Sequence, residues 1–141
     1  MFEKLCNKVR DSVQKHEMLP KNEKVVAAVS GGPDSMCLLH VLLALDQPVE
    51  VAHFDHQTRE GESTKDALFV QELCHKLGIP CHIETANVAE EKKRTGLSFE
   101  ESARELRYDF LFRVSRKIGA KIIATGHHAD DLVETLLMRL L

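Results

Sequence analysis

Several features are scarce or missing in this chain, and each absence removes a class of function. No apolar run approaches the ~20 residues that a membrane-spanning helix needs, so no membrane partner is expected. The first ten residues carry charges throughout and lack the apolar stretch of a signal peptide. The cytoplasm is the expected location. Four cysteines stand at positions 6, 37, 74 and 81, and no two form a C-x-x-C. That spacing indicates neither a zinc ribbon nor a thioredoxin-type pair. Cys37 and Cys74 fall in apolar helical patterns and read as small hydrophobes. No internal repeat or low-complexity linker occurs. A basic excess is also missing, because 19 Lys and Arg stand against 22 Asp and Glu, a net charge of -3. A domain that grips RNA mainly through its own surface is usually basic. If RNA is a partner, most of its grip must come from elsewhere.

What is present suits one soluble domain. The chain has 141 residues, of which 43% are apolar and 29% charged, enough for one real core and too few for two. Phe2, Leu5, Cys6, Val9 and Val13 recur at helical spacing and predict a helix over 2–18, stopped by Pro20. Strands are predicted over 25–29, 49–54, 80–85 and 121–125. Helices are predicted from Asp34 or Ser35 through Leu45, over 64–76 behind Ser63 with Asp66 at its third position, and over 99–118. Ser98-Phe99-Glu100-Glu101 is a capping box for the third of these, and Gly119 is its C-cap. The polar stretch 87–96 reads as a short helix or a loop. A last helix is predicted from about 129 to 141.

Strands alternating with helices predict an α/β fold, a Rossmann-like parallel sheet with helices on both faces and right-handed crossovers. Ligands of such sheets sit at the carboxyl ends of the strands, near a topological switch point. The unusual residues of this chain follow Val29, Val51 and Ala124, at three of those ends.

Ser30-Gly31-Gly32-Pro33-Asp34-Ser35 is the first group. A glycine turn between a buried strand and a helix presents unpaired N–H groups and the positive end of a helix dipole, a seat for phosphate. Asp34 adds a carboxylate, which points to a metal ion or a reacting group. The loop lacks the lysine of a Walker A sequence and the third glycine of a dinucleotide fingerprint, so γ-phosphoryl transfer is disfavoured. The second group is His53-Phe54-Asp55-His56-Gln57-Thr58-Arg59. His53 alone reads first as a hydrogen-bonded structural histidine, and no cysteine or carboxylate at zinc spacing completes a metal site. The third group, Glu101 to Tyr108, sets Arg104 and Arg107 on one helix face. Surface ion pairs from Glu100 and Glu101 to Arg104 are the plain expectation there. In the fourth, Gly126 to Thr135, a helix would place His127, Asp130 or Asp131, and Glu134 on one face. Acidic residues suit a first helical turn, but a histidine–carboxylate face also suits Mg2+ and a substrate amine.

The loop S-G-G-P-D-S resembles that of the PP-loop family, the N-type ATP pyrophosphatases. With H-F-D-H-x-x-R, E-x-A-R-x-x-R-Y and G-H-H-A-D-D-x-x-E-T, the chain from about Lys24 onward resembles the tRNA(Ile)-lysidine synthase branch. The resemblance implies an adenine nucleotide alpha hydrolase-like fold. It implies ATP and Mg2+ as cofactors, with a tRNA(Ile) bearing a CAU anticodon and free L-lysine as partners. It implies that Ser30, Gly31, Gly32, Pro33, Asp34 and Ser35 bind ATP and that His53 and His56 border the adenosine. Asp34, Arg107, His127, Asp131 and Glu134 are implied to be catalytic, with Asp34 and Glu134 at Mg2+. Residues 1–20 are then an N-terminal helix and 21–141 a PP-loop domain. Family members continue with a further strand and helical tRNA-binding domains. The chain is therefore expected to lack the last strand, to leave an apolar sheet edge bare, and to be inactive on tRNA alone. A PP-loop tRNA cytidine 2-thiolase and a non-catalytic ATP-binding module are the alternatives. The first needs cysteines that are not placed for it. Oligomeric state is left open, a homodimer included.

Overall fold

The computed structural model describes residues 4, 7, 10–11, 22–56, 62–129 and 132–139. Lys4, Asn7, Arg10 and Asp11 are helical. From there the elements run β1 (Val25–Ala28), α1 (Pro33–Ala44), β2 (Val49–Asp55), α2 (Glu62–Leu77), β3 (Cys81–Thr85), α3 (Val88–Thr95), α4 (Phe99–Ile118), β4 (Ile122–Ala129) and β5 (Leu132–Arg139).

The five strands form one sheet in the order β3-β2-β1-β4-β5. β1 pairs in parallel with β2 and with β4, and β2 pairs in parallel with β3. The doubly wound reading of the sequence therefore holds. Alternation along β1 explains its unbroken apolar run. Val25, Ala27 and Val29 enter the core on one face, with Leu38 and Leu42 of α1 and Val70 and Cys74 of α2. Val26 enters the core on the other, with Phe110, Leu111 and Val114 of α4. A strand covered on both faces has no position for a polar residue.

Most helix ends follow local chemistry. The Asn87 side chain accepts from the Glu90 N–H at 3.2 Å, and Gly96 at φ +74° closes α3, so the polar stretch is a helix. Ser98 Oγ accepts from the Glu101 N–H at 3.1 Å at the start of α4, as its capping box predicts. α2 begins at Glu62, ahead of the predicted start at residue 64. Among the described residues, no helix is long and apolar enough to cross a membrane.

The predicted last helix is not a helix. Residues 132–139 form β5, antiparallel to β4, with Ile122 opposite Arg139 and Ala129 opposite Leu132. The edge of β4 that was expected to be bare is therefore covered by β5, while the parallel part of the sheet has four strands, as expected. The physical reason is the edge itself. As the outermost parallel strand, β4 would present a row of unpaired N–H and C=O groups, and the next segment of chain is the nearest one that can pair with them. Val133 and Thr135 are β-branched and suit a strand. The two strands are separated by two residues in sequence, the spacing of an antiparallel hairpin.

The strand order reverses at β1. From there the chain builds outward through β2 and β3, then returns to the other side of β1 as β4. Connections leaving the carboxyl ends of β1 and β4 diverge at such a point and open a crevice.

Candidate functional site

β1 runs out at the glycine loop. Gly31 has φ +96°, a conformation that side chains other than glycine rarely adopt. A Cβ there would meet Asp66 and Val70 no closer than 3.8 Å, so backbone conformation, not crowding, selects the glycine. Gly32 is the N-cap of α1, and Pro33 is the first helical residue, one earlier than predicted. Proline suits that place because its φ is preset and it has no N–H to leave unpaired.

Two hydroxyls lock the loop. The Gly32 N–H donates to Ser30 Oγ at 3.3 Å, and Ser35 Oγ donates to the Gly32 carbonyl at 3.1 Å. With the Ser35 proton so used, Ser30 Oγ donates to Ser35 Oγ across 3.1 Å, and the circuit closes. Ser35 Oγ also accepts from the Ser30 N–H at 3.1 Å. Ser30 and Ser35, implied as phosphate ligands, thus hold each other and shape the loop.

The start of α1 differs from those of α3 and α4. Asn87 and Ser98 cap the latter two, whereas no side chain caps α1. The first-turn N–H groups of a helix have no intrahelical partners and carry the positive end of the dipole. An uncapped, glycine-led helix start is suited to an anion. Asp34 is the second residue of this helix.

A cavity of about 370 Å³ opens beside the loop. Ser30 and Ser35 line it from the loop, His53 and His56 from the end of β2, Thr125 from β4, and Arg104 and Arg107 from α4. Both arginines are exposed and lie over the Tyr108 ring, at 5.6 and 5.4 Å from its centroid. Neither has a carboxylate partner among the described residues, so the expected ion pairs from Glu100 and Glu101 to Arg104 are not formed. Two guanidinium groups left unpaired at a cavity rim are available to bind an anion.

His53 is buried, 4% exposed, and its Nδ1–H donates to the Val29 carbonyl at 2.7 Å. The structural reading of this histidine is therefore correct, and the ring also lines the cavity. The His56 ring meets Phe99 edge-on, with centroids 6.4 Å apart. Arg59 lies outside the described residues.

Asp66, Phe99, Glu100 and Thr125 also line the cavity, and sequence reading did not single them out as site residues. Asp66 reads as a first-turn acid and carries no local signal. It arrives only because α2 lies across Gly31. Phe99 had one signal, an apolar residue inside a capping box that remains 41% exposed.

The fourth group is built differently from its prediction. His127 lies on β4 and Glu134 on β5, and their Cα atoms are partners in the antiparallel register. The helical face that was to join them is absent, and strand pairing brings them together instead. Asp130 and Asp131 lie outside the described residues. Among the described residues, no three His, Cys, Asp or Glu side chains cluster as a metal site.

The family model of the PP-loop domain matches residues 2–141. A tRNA(Ile)-lysidine synthase of Bacillus thuringiensis subsp. konkukian is 44% identical over 99% of this chain and 30% of its own length. The enzyme of that name from Clostridioides difficile is 44% identical over 97% of this chain and likewise 30% of its own length. The chain thus spans under a third of these relatives. Among solved structures, an NH3-dependent NAD synthetase of Campylobacter jejuni superposes with a TM-score of 0.60 at 20% identity, covering 87% of this chain and 55% of that one. An NMN synthetase of Francisella tularensis superposes with a TM-score of 0.55 at 19% identity, covering 86% of this chain and 51% of that one. These last two show the fold alone. With its glycine loop, its switch-point cavity and a family match across nearly its whole length, the chain belongs to the PP-loop domain family.

Proposed function

We propose that this chain is the ATP-using part of a tRNA(Ile)-lysidine synthase, acting in the cytoplasm. Residues 21–141 are its adenylating domain. The observation that carries the reading is the uncapped start of α1 behind Gly31, which opens on a cavity rimmed by two arginines without carboxylate partners. The names of the relatives at 44% identity support a tRNA as the acceptor, and free lysine is the amine in this reading.

In this reading the O2 of the wobble cytidine attacks the α-phosphorus of ATP. The bond from that phosphorus to the bridging oxygen breaks, and pyrophosphate leaves. The lysine ε-amine then attacks C2, the C2–O2 bond breaks, and AMP departs. The loop holds pyrophosphate with backbone N–H groups aimed where negative charge grows. Arg107 holds phosphate or the adenylated base. His127, Asp131 and Glu134 take the proton that the amine must lose to attack.

Mg2+ is part of this reading. That ion is commonly held by one or two carboxylates together with substrate phosphates, not by a closed protein cage. Asp34 and Glu134 are the residues proposed to hold it, and it would offset charge on the phosphates.

ATP–pyrophosphate exchange tests the proposal. The assay is run on the full-length enzyme, with and without a CAU anticodon stem-loop and free lysine. Asp34→Ala is expected to abolish exchange while leaving the fold intact. Full exchange in that variant would sink the assignment.

A further inference from the structure

Cys74 and Cys81 meet across the turn that joins α2 to β3. α2 ends at Leu77, and Gly78 follows with φ +70°. The Gly78 N–H donates to the His75 carbonyl at 3.2 Å, and the Ile79 N–H donates to the Cys74 carbonyl at 3.0 Å. The Pro80 carbonyl then accepts from the Val51 N–H of β2 at 2.9 Å. These bonds hold both ends of the turn. They set Cys81, the first residue of β3, against the core cluster that contains Cys74. The two cysteines are not joined by a disulfide, and their thiols are hydrogen-bonded to each other.

Their surroundings differ. Cys74 is buried, whereas Cys81 is partly exposed on an outer strand of the sheet. The hydrogen bond to Cys81, together with burial, raises the Cys74 thiol above its ordinary value, so Cys74 keeps its proton and donates. Receiving that bond lowers the Cys81 thiol below its ordinary value, against the opposing effect of burial. The thiolate is the nucleophilic form of cysteine, and an accessible thiolate beside a second thiol is the arrangement of a redox-sensitive pair. Cys37 on α1 is buried and serves as an internal reference.

We propose that Cys81 is a site of oxidation by small peroxides, and that Cys74 resolves the product as an intramolecular disulfide. The Cys81 thiolate attacks one oxygen of hydrogen peroxide and the O–O bond breaks. Cys81 becomes a sulfenic acid, and the departing hydroxide takes a proton from solvent. Cys74 then attacks the Cys81 sulfur, the S–O bond breaks and the S–S bond forms. The proton of Cys74 leaves with the hydroxyl as water. Two thiols lose two electrons, and one peroxide is reduced to two waters. A dithiol reductant reverses the bond by exchange. The pair lies on the turn between α2 and β3, so the proposal stands apart from the ATP reading.

Peptide mapping of the full-length enzyme tests it. The protein is treated with hydrogen peroxide, its remaining thiols are blocked with N-ethylmaleimide, and it is digested with trypsin. Lys76 lies between the two cysteines, so cleavage there separates them. A disulfide then appears as two tryptic peptides held together, which dithiothreitol releases. The expected result is that this linked pair forms at least about tenfold faster than Cys37 is modified. Two variants separate the roles. In Cys74→Ser, Cys81 should accumulate as a sulfenic acid that dimedone traps. In Cys81→Ser, Cys74 should stay unoxidised at the same peroxide dose.

A Cys81 that still reacts with N-ethylmaleimide after peroxide treatment, or that is oxidised no faster than Cys37, would overturn the proposal. A Cys81 sulfenic acid that persists in the unmodified enzyme, with no linked peptides, would overturn the role of Cys74.

Discussion

At the amino end of the sheet, Glu50 on β2 takes Lys24 at 3.2 Å and His82 of β3 at 2.9 Å, and Gln47 donates to the Glu23 carbonyl at 2.6 Å. At the carboxyl end, among the described residues, α1 has no side-chain cap, Arg104 and Arg107 have no carboxylate partners, and His53 Nε2 has no hydrogen-bond partner. The same strands run through both ends. The Glu50 cluster is paired within the protein, and the other end leaves donors and an acceptor unused around a cavity. Unpaired polar groups destabilise a folded chain. Arg104 and Arg107, unpaired around one cavity, therefore mark the ligand site, and the paired Glu50 cluster marks structure.

The largest effect should come from the core that both ends share. Leu38, fully buried on α1, should lower stability by about 2–5 kcal/mol when changed to alanine. Denaturant unfolding reads this, and both ends should be weakened together. Next, replacing Arg104 and Arg107 with alanine should weaken ATP binding by about tenfold or more, since charge-assisted hydrogen bonds would be lost. Stability should fall by only about 1 kcal/mol, because the protein contacts abandoned are exposed stackings on Tyr108. Loss of stability without loss of affinity would break the comparison.

The opposite split is expected for Glu50→Gln, which should cost about 1 kcal/mol of stability and leave ATP affinity unchanged. Burial pushes the Glu50 carboxyl up, but hydrogen bonds and charge from His82 and Lys24 outweigh it and hold the group below its ordinary value of 4.5. A depressed folded-state value contributes stability above the ordinary value, and that stability is lost as pH falls through the lower one. The variant should therefore lose less stability than the parent on acidification below about 4.5, as followed by acid titration of thermal unfolding. The smallest effect belongs to Arg113, half exposed between Glu84 and Asp109. Arg113→Ala should cost about 0.2–1 kcal/mol, less at high salt, and should not touch ATP binding.

Most of the frame was legible because its signals are local. The apolar run before the loop can only be a strand covered on both faces. Ser98 with Glu101, and Gly119 after Ile118, mark the ends of α4 without help from the rest of the fold. β5 was not legible. Residues 132–139 carry a helix-compatible pattern, and only the open edge of β4 makes them a strand. The loop was readable as an anion seat, but its inner circuit between Ser30 and Ser35 depends on a turn geometry that spacing does not encode. Asp66 escaped because its place beside Gly31 is set by how α2 crosses the loop. His53 was readable as a bonded histidine. Which nitrogen is bonded, and which is left without a partner, needed the position of Val29.

The central claim is that the carboxyl end of this sheet is an ATP site and the amino end is not. Backbone amide spectra of the 141-residue chain, recorded during titration with ATP and Mg2+, test it most directly. The predicted result is saturable shifts at Ser30, Gly31, Gly32 and Ser35, at His53 and His56, and at Arg104 and Arg107, with Lys24, Glu50 and His82 unmoved. Shifts centred on Lys24, Glu50 and His82, or no saturable shifts at all, would contradict it.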